Sequence, residues 1–586
     1  MIGDVILKNG DAWLQFTHPH RVIVTENINE VRKSLEEVER LIAKHGWHAA
    51  GFVSYEAAPA FDNALQVVKA EGFPLAWFGL YNAPRVLETC EVFKDFAGFA
   101  PLNWQPNVEK EIYNNAIRVV KEWIAQGQTY QVNYTMRLSA DSSNQSQIKT
   151  DALGWQLFLH LAKSQNKYAA FLDIGDWEVC SASPELFFKL DGDRIFSRPM
   201  KGTVKRGRTT TEDQEQAEWL RNSIKNRAEN VMIVDMVRND LGRIAEIGSV
   251  QVPDLFTVEK YPTLFQMTST VQAKTNASLT EIFSALFPCA SITGAPKVST
   301  MKIIAELETT PRKIYTGSIG YISPNRKAQF NVAIRTALID KTKQQAEYGV
   351  GGGIVWDSTS ADEYSEALLK SRVLTERPSE FSLFETLLWT PQDGYFLLEK
   401  HLERMRDSAE YFGFPYSRES MEEFLDELAS AFTSPQRVKV SLSRLGGLDK
   451  EVISFQSGKR PYKVCLAKEP VNSGEVFLYH KTTRREVYNN ALIVYQVYSD
   501  VLLYNERNEL TEFTIGNLVV EINGELFTPP IPCGLLAGTF RAHLLETNQV
   551  KERIIHKDEL YKCSKIFLVN SLRKWVDVEI EKEPAL

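Results

Sequence analysis

Several stretches of this chain place polar and charged side chains where an ordinary core would not. From Gln128 to Arg137 polar and apolar residues alternate, so amides share one face of a strand. Ser197 to Gly207 is a basic loop containing glycine, with Lys201, Gly202 and Thr203 near its start. Arg227 to Asp240 puts Glu229, Asp235, Arg238 and Asp240 into an otherwise apolar helical stretch. An unpaired carboxylate in a buried helix is expensive, and coordination of a metal would relieve it. Tyr348 to Ile354 is a glycine run, and the helix expected after it carries Glu363 and Glu366. Two glutamates from separate helices suit Mg²⁺, which takes few carboxylates and keeps waters and substrate oxygens. Plainer readings stand beside these. A basic loop is usually solvated and a glycine run is often a tight turn. Glu366 with Lys370 four residues on could be a surface pair worth a few tenths of a kcal/mol.

A second set lies further on. It comprises Arg404 in His401-Leu-Glu-Arg-Met, Lys481 in Tyr-His-Lys-Thr-Thr-Arg, Glu512 in the Asn505 to Asn517 stretch, and Gly538-Thr539-Phe540-Arg541. A lone lysine before Thr-Thr is normally a surface residue, so the interest lies in the set and its order.

The elements that must position these residues fall into two segments. The chain has 586 residues, 44% hydrophobic and 24% charged, a soluble globular composition too long for one ordinary domain. Its character changes near Arg377-Pro378-Ser379-Glu380, where proline disfavours helix for the residue before it. We read domains at 1–376 and 381–586, joined by a linker at 377–380. In the first, Ile28 to Ile42 and Ile112 to Ile124 follow helical spacing, with Gly127 closing the second helix. Tyr130 to Leu138 reads as a strand, Asp191-Gly-Asp193 as a hairpin turn, and Ala228 to Ile244 as a largely buried helix. These are α+β signals with many antiparallel pairings, without regular βαβ alternation. In the second, a strand pair surrounds Asp393-Gly394 and a helix runs from Leu397 to Phe412. Strands are expected at Leu492–Val497, Leu518–Ile522 and Leu526–Thr528, the last two joined by an Asn523-Gly524 turn.

The formal net charge of −8 offers no basic field for nucleic acid or anionic lipid. The six cysteines, Cys90, Cys180, Cys289, Cys465, Cys533 and Cys563, have neither disulfide-framework nor zinc spacing and read as inert thiols. No apolar run approaches a membrane span and the N-terminus has no signal-peptide pattern, so a cytoplasmic location is expected.

The first segment resembles the chorismate-utilising enzymes. The motifs are Tyr130-Gln-Val-Asn, Ser183-Pro-Glu-Leu-Phe, Pro199-Met-Lys-Gly-Thr and Ala228-Glu-Asn through Arg238-Asn-Asp. They continue with Ser291-Ile-Thr-Gly-Ala-Pro-Lys, Gly317-Ser-Ile-Gly-Tyr and Gly351-Gly-Gly-Ile-Val, in order along the chain. The resemblance implies a large antiparallel-sheet sandwich with helices, Mg²⁺ ligands at Glu229 and Glu366, and chorismate contacts at Gly202, Thr203, Tyr315, Arg335, Gly351, Gly352 and Gly353. Chorismate has two carboxylates, which a cation, a guanidinium and glycine amides suit.

Two positions point to a branch of that family. Water-adding relatives carry a lysine base where this chain has Gln131, which argues for ammonia. Anthranilate synthases have alanine where this chain has Lys201, the residue typical of aminodeoxychorismate synthases. The resemblance implies that Lys201 attacks C2 of chorismate, that Glu185 protonates the leaving hydroxyl, and that ammonia adds at C4. Gln266 stands where many relatives have histidine, which weakens any reading that needs aromatisation here. No amidotransferase domain is visible, so a separate glutamine amidotransferase subunit is the implied ammonia source.

The second segment resembles the fold-type IV pyridoxal-phosphate enzymes, which include aminodeoxychorismate lyase and several aminotransferases. The resemblance implies two lobes, with Lys481 binding pyridoxal 5′-phosphate covalently and shuttling the proton. Glu512 would pair with the cofactor's ring nitrogen, and Arg404, Thr539 and Phe540 would hold its phosphate. Members commonly dimerise, so a homodimer is expected. These residues are shared by lyases and aminotransferases. The fusion favours a lyase that consumes the first segment's product and releases pyruvate, giving 4-aminobenzoate for folate. The enzyme alternative joins anthranilate synthase to an aminotransferase. The non-enzyme alternative is a regulatory protein that binds chorismate or tryptophan.

Overall fold

The computed structural model describes residues 2–94, 96, 99, 101–141, 153–164, 167–375, 381–456, 461–494 and 497–581. The predicted linker at 377–380 lies outside them. The chain forms two compact units. The first comprises residues 1–205 and 217–378, the second 206–216 and 379–586.

The first unit is built on two ten-stranded sheets, antiparallel throughout their described pairings. An apolar layer between them draws on both. Val5, Leu7, Phe16, Leu172 and Val179 come from one sheet, and Phe52, Trp77, Tyr81 and Ile319 from the other. Helices cover the outer faces. Val31–His45 buries Val31, Leu35, Val38, Leu41 and Ile42 at helical spacing and ends on Gly46 at φ 69°. Lys110–Ala125 buries Tyr113, Ala116, Ile117 and Val120, with Gly127 at φ 72° just beyond its end. Ile224–Gly242 is less buried than its composition suggests. Ile233, Val234, Val237 and Leu241 face inward, while Asp235 and Arg238 pair in solvent at 2.9 Å.

One long pairing sets the geometry of the first site. The strand Gln345–Ile354 runs antiparallel to Gln131–Asp141, from Gln345 opposite Asp141 to Ile354 opposite Val132. Val132, Tyr134, Met136 and Leu138 face an outer core with Tyr348, Val350 and Ile354. Gln131, Asn133, Thr135 and Arg137 occupy the other face and are also buried. Charges on that face are neutralised internally. Arg312 meets Glu308 at 2.6 Å, Arg137 meets Glu308 at 3.4 Å, and Thr135 donates to Glu308 through its amide and hydroxyl.

In the second unit a four-stranded antiparallel sheet has the order Gly394–Tyr395, Leu383–Thr390, Gln436–Leu442, Leu448–Ser454. The helices Leu398–Phe412 and Arg418–Ala429 pack on one face through Leu402, Met405, Met421 and Leu425, against Leu383, Leu387, Val438 and Val440. An eight-stranded mixed sheet forms the other lobe. The Asn523-Gly524 turn has φ of 53° and 81°, which asparagine and glycine tolerate. One expectation fails. Residues 486–494 are helical, so no strand starts at Leu492; residues 495 and 496 lie outside the described ones. Ile493 and Val494 are exposed on that helix, and the strand here is Asp500–Tyr504, buried at every position.

Candidate functional sites

The first site gathers around Lys201. Its strand, Met200–Lys205, pairs with Leu264–Lys274, placing Thr203 opposite Gln266. Gln266 clamps the turn, since its Nε2 donates to Gly202 O at 3.0 Å and its Oε1 accepts from Thr203 Oγ1 at 3.0 Å. Gly202 has φ 96°, a region costly for other residues. Lys201 Nζ lies 3.5 Å from Glu229 Oε2. The glycine run comes equally close. A Cβ on Gly353 would sit 2.9 Å from Lys201 Nζ and 2.8 Å from Gln131 Nε2, so a side chain there would push both aside. Gln131 is fully buried, and among the described residues neither its amide nitrogen nor its oxygen has a partner. Buried amides are normally satisfied, so this one is poised for a ligand.

Glu185 is buried and accepts from Ser291 Oγ at 2.7 Å. Burial raises its carboxyl to about 7, against the opposing pull of Ser291, the Met200 amide and Lys201. A carboxyl of that kind holds a proton near neutrality, as a general acid requires. On the helix Ser360–Ser371, Glu366 pairs with Lys370 at 2.9 Å, and Lys370 Nζ also donates to Gly351 O at 2.9 Å. Lys370 is the main cause of Glu366's lowered pKa, and Lys201 adds to it. Glu363 Oε2 would lie 3.0 Å from a Cβ on Gly352, and its Oε1 accepts from Ser358. Tyr315 and Arg335, from outside that strand, approach the strand Gln345–Ile354 at Gly349 and Tyr348. A Cβ on Gly349 would overlap the Tyr315 ring, and Arg335 acts electrostatically on Tyr348. Among the described residues no hydrogen bond or ion pair reaches the Arg335 guanidinium, and burial lowers its pKa. Such a cation is available to a carboxylate.

The donors at Glu229 and Glu366 are hard oxygens, and each is already held by an ammonium. That is where a small divalent cation would fit. Among the described residues no group of three His, Cys, Asp or Glu side chains could hold a metal. Mg²⁺ with two protein carboxylates would therefore complete its shell with waters and substrate oxygens.

The second site lies around Lys481. Phe384 N donates to Lys481 O at 3.0 Å and Leu383 bridges Thr482, so Lys481 faces the Phe384 ring with Nζ 4.8 Å from its centroid. Desolvation, with help from Arg404, lowers its pKa to about 8. Glu512 is buried among three donors. Tyr488 OH and Leu536 N reach its Oε1 at 2.8 and 3.1 Å, and Asn517 Nδ2 reaches its Oε2 at 3.2 Å. Burial raises it to about 7. Arg404 grips Glu385 through Nε at 2.8 Å and Nη2 at 2.6 Å, and its Nη1 donates to Ala537 O at 3.0 Å. His401 completes the group, with Nδ1 2.6 Å from Glu385 and Nε2 3.3 Å from Thr539 Oγ1. Burial alone would raise Glu385, but Arg404 and His401 overcome it and hold the carboxyl at about 2. Thr539 begins the helix Thr539–Glu546 behind Gly538, whose φ and ψ are extended. A helix N-terminus beside an arginine suits a phosphate. An acid with a raised pKa suits a ring nitrogen, and an amine with a lowered pKa suits a carbonyl carbon. These residues fit pyridoxal phosphate.

The neighbours Gln266, Ser291, Lys370 and Glu385 carry no role in the sequence reading. A spacing signal existed for one of them, since Lys370 follows Glu366 by four residues on a shared helix face.

Residues 5–376 match the family model of the chorismate binding enzymes, and the chain belongs to that family. Residues 382–580 match the amino-transferase class IV model. Among curated proteins, the chain is 42% identical over 275 residues to aminodeoxychorismate synthase component 1 of Salmonella typhimurium, covering 46% of this chain and 58% of that protein. To the Escherichia coli protein of the same name it is 41% identical over 278 residues, covering 47% and 59%. The chain thus matches somewhat over half the length of these relatives. Among solved structures, anthranilate synthase component I from Streptococcus pneumoniae aligns with a TM-score of 0.55 and 24% identity over 63% of this chain and 93% of that one, a likeness of fold. Among the described residues no helix is long and apolar enough to cross a membrane.

Proposed function

We propose that the first unit aminates chorismate to 4-amino-4-deoxychorismate and that the second eliminates pyruvate from that product to give 4-aminobenzoate. The observation that carries the first step is the convergence of Lys201 Nζ and the unpartnered Gln131 amide on Gly353, beside Glu229. Lys201 attacks C2 of the ring, both ring double bonds shift, and the 4-hydroxyl leaves as water with a proton from Glu185. Ammonia then adds at C4, both double bonds shift back, the lysine departs and the extra ammonium proton returns to Glu185, so no oxidant is needed. Arg335 and the glycine amides take substrate carboxylates. Glu229 and Glu366 would hold Mg²⁺, which supplies positive charge beside the substrate. A separate glutamine amidotransferase supplies ammonia, and the pathway is that of folate in the cytoplasm.

In the second unit Lys481, Glu512 and the Arg404–Thr539–Phe540 cup would hold pyridoxal phosphate, which supplies an electron sink when bound. Lys481 removes the proton from the ring carbon that bears the amine. The bond between the neighbouring ring carbon and the ether oxygen then breaks, and the departing enolate takes up a proton to become pyruvate.

The decisive experiment incubates the purified chain with chorismate, Mg²⁺, pyridoxal phosphate and ammonium. The expected products are 4-aminobenzoate and pyruvate in equal amounts. Anthranilate as the main product would overturn the reading of the first unit. Accumulation of aminodeoxychorismate by the cofactor-loaded chain would overturn that of the second.

A further inference from the structure

The register around Lys481 places a further cation on the cofactor lysine's side of the sheet. Leu383 bridges Thr482, so Phe384 lies beside Lys481; on its other side Phe384 pairs with Ser441, and Thr386 pairs with Lys439. Side chains alternate along a strand, so Lys481, Phe384, Ser441 and Lys439 project from the same face. Their tips converge. Lys439 Nζ lies 5.3 Å from the Phe384 ring centroid and Lys481 Nζ lies 4.8 Å from the same centroid. The two nitrogens are therefore no farther apart than the sum of those distances.

The charge beside that ring is not balanced. Lys439 and Arg437 share one carboxylate, Glu451, at 3.5 and 3.9 Å. Both contacts are long for charge-assisted hydrogen bonds. Among the described residues no second carboxylate lies within ion-pair distance of Lys439, and Lys439 is only partly exposed there.

The proposed substrate of this site carries a carboxylate para to its amine. When the amine is held at Lys481, that carboxylate lies across the six-membered ring, one ring width away. We infer that Lys439 anchors the ring carboxylate of the second site's substrate and so selects a cyclic amino acid of that shape, an assignment that rests on the lyase reading above. Phe384 supplies the apolar floor under the ring between the two cations.

The test uses the full chain loaded with pyridoxal phosphate, with purified aminodeoxychorismate as substrate. Lys439→Met should raise KM for 4-aminobenzoate formation roughly ten- to a hundredfold, the range for one hydrogen bond to a charged group, with kcat reduced less than about threefold. Lys439→Arg should restore most of the loss. Inhibition by 4-aminobenzoate should exceed that by 4-aminobenzamide in the wild type and not in Lys439→Met. A wild-type KM in Lys439→Met, or a fall in kcat at unchanged KM, would overturn the assignment. If the wild-type chain itself forms no 4-aminobenzoate from aminodeoxychorismate, the lyase reading fails and the assignment goes with it.

Discussion

Glu512 offers the sharpest quantitative test, because its burial is deep and its surroundings are specific. Without cofactor nothing positive need sit against this carboxyl, and burial raises its pKa from 4.5 to about 7. The sign follows directly. A carboxyl with a raised folded-state pKa binds its proton more tightly when folded, so its contribution is fully present below pH 4.5 and is lost as pH rises through about 7. At 1.36 kcal/mol per unit the loss amounts to at most about 3 kcal/mol. Glu512→Gln removes that titration. It also turns an amide nitrogen toward one of the existing donors, Tyr488, Leu536 or Asn517, at a cost of about 1 kcal/mol. In the cofactor-stripped full chain the variant should therefore be less stable than wild type near pH 4 by about 1 kcal/mol and more stable near pH 8 by about 2 kcal/mol. The two stability curves should cross between. Guanidinium unfolding across that pH range, followed by fluorescence, measures the crossing. Parallel curves would refute the assignment of a buried, cofactor-directed acid. The same variant, loaded with cofactor, should lose at least about a hundredfold in 4-aminobenzoate formation, because a neutral amide no longer keeps the ring nitrogen protonated.

Lys201→Ala should abolish ammonia-dependent amination while chorismate still binds; unchanged turnover, measured by chromatography of the products, would exclude a nucleophilic role. At constant free ammonia, wild-type amination should fall as pH rises through about 7, where Glu185 loses its proton, and Glu185→Gln should lack that limb. Arg312→Met should destabilise the first unit by about 3–5 kcal/mol in chemical unfolding, because it strips the stronger partner from buried Glu308; a loss below about 1 kcal/mol would show that Arg137 suffices.

Where side-chain periodicity had a single cause, the elements were legible. The helix Val31–His45 buries the residues its pattern implies, whereas the strand Gln131–Asp141 buries its polar face as well as its apolar one. The misreading at Leu492–Val497 has a physical origin. Ile493 and Val494 look like strand residues but lie exposed on a helix end. The true strand begins on Asp500, a residue that ordinarily argues against burial. Its Oδ1 accepts from Val501 N, Thr514 N and Thr514 Oγ1. That long-range partner is invisible to local patterning. The sites divide in the same way. Motif order suggested roles for Lys201, Glu229, Lys481 and Glu512, while the approach of Gly353 to Lys201 and the Gln266 clamp depend on strand registers that no spacing encodes.

The pairing of Gln345–Ile354 with Gln131–Asp141 also bears on error during folding. A slip of one residue would turn every side chain of a strand to the opposite face. Glycines 351 to 353 have no side chains with which to resist such a slip, yet the position of Lys201 relative to Gly353 leaves no space for one. Resistance comes from the reverse side, where Tyr348, Val350 and Ile354 interlock with Val132, Tyr134 and Met136 and would be thrown out of their core. Large apolar residues that touch no reactant thus act as the indexing teeth of the first site. Truncating Tyr348 or Ile354 should show itself as a subpopulation with displaced register and dead chemistry before it shows itself as unfolding.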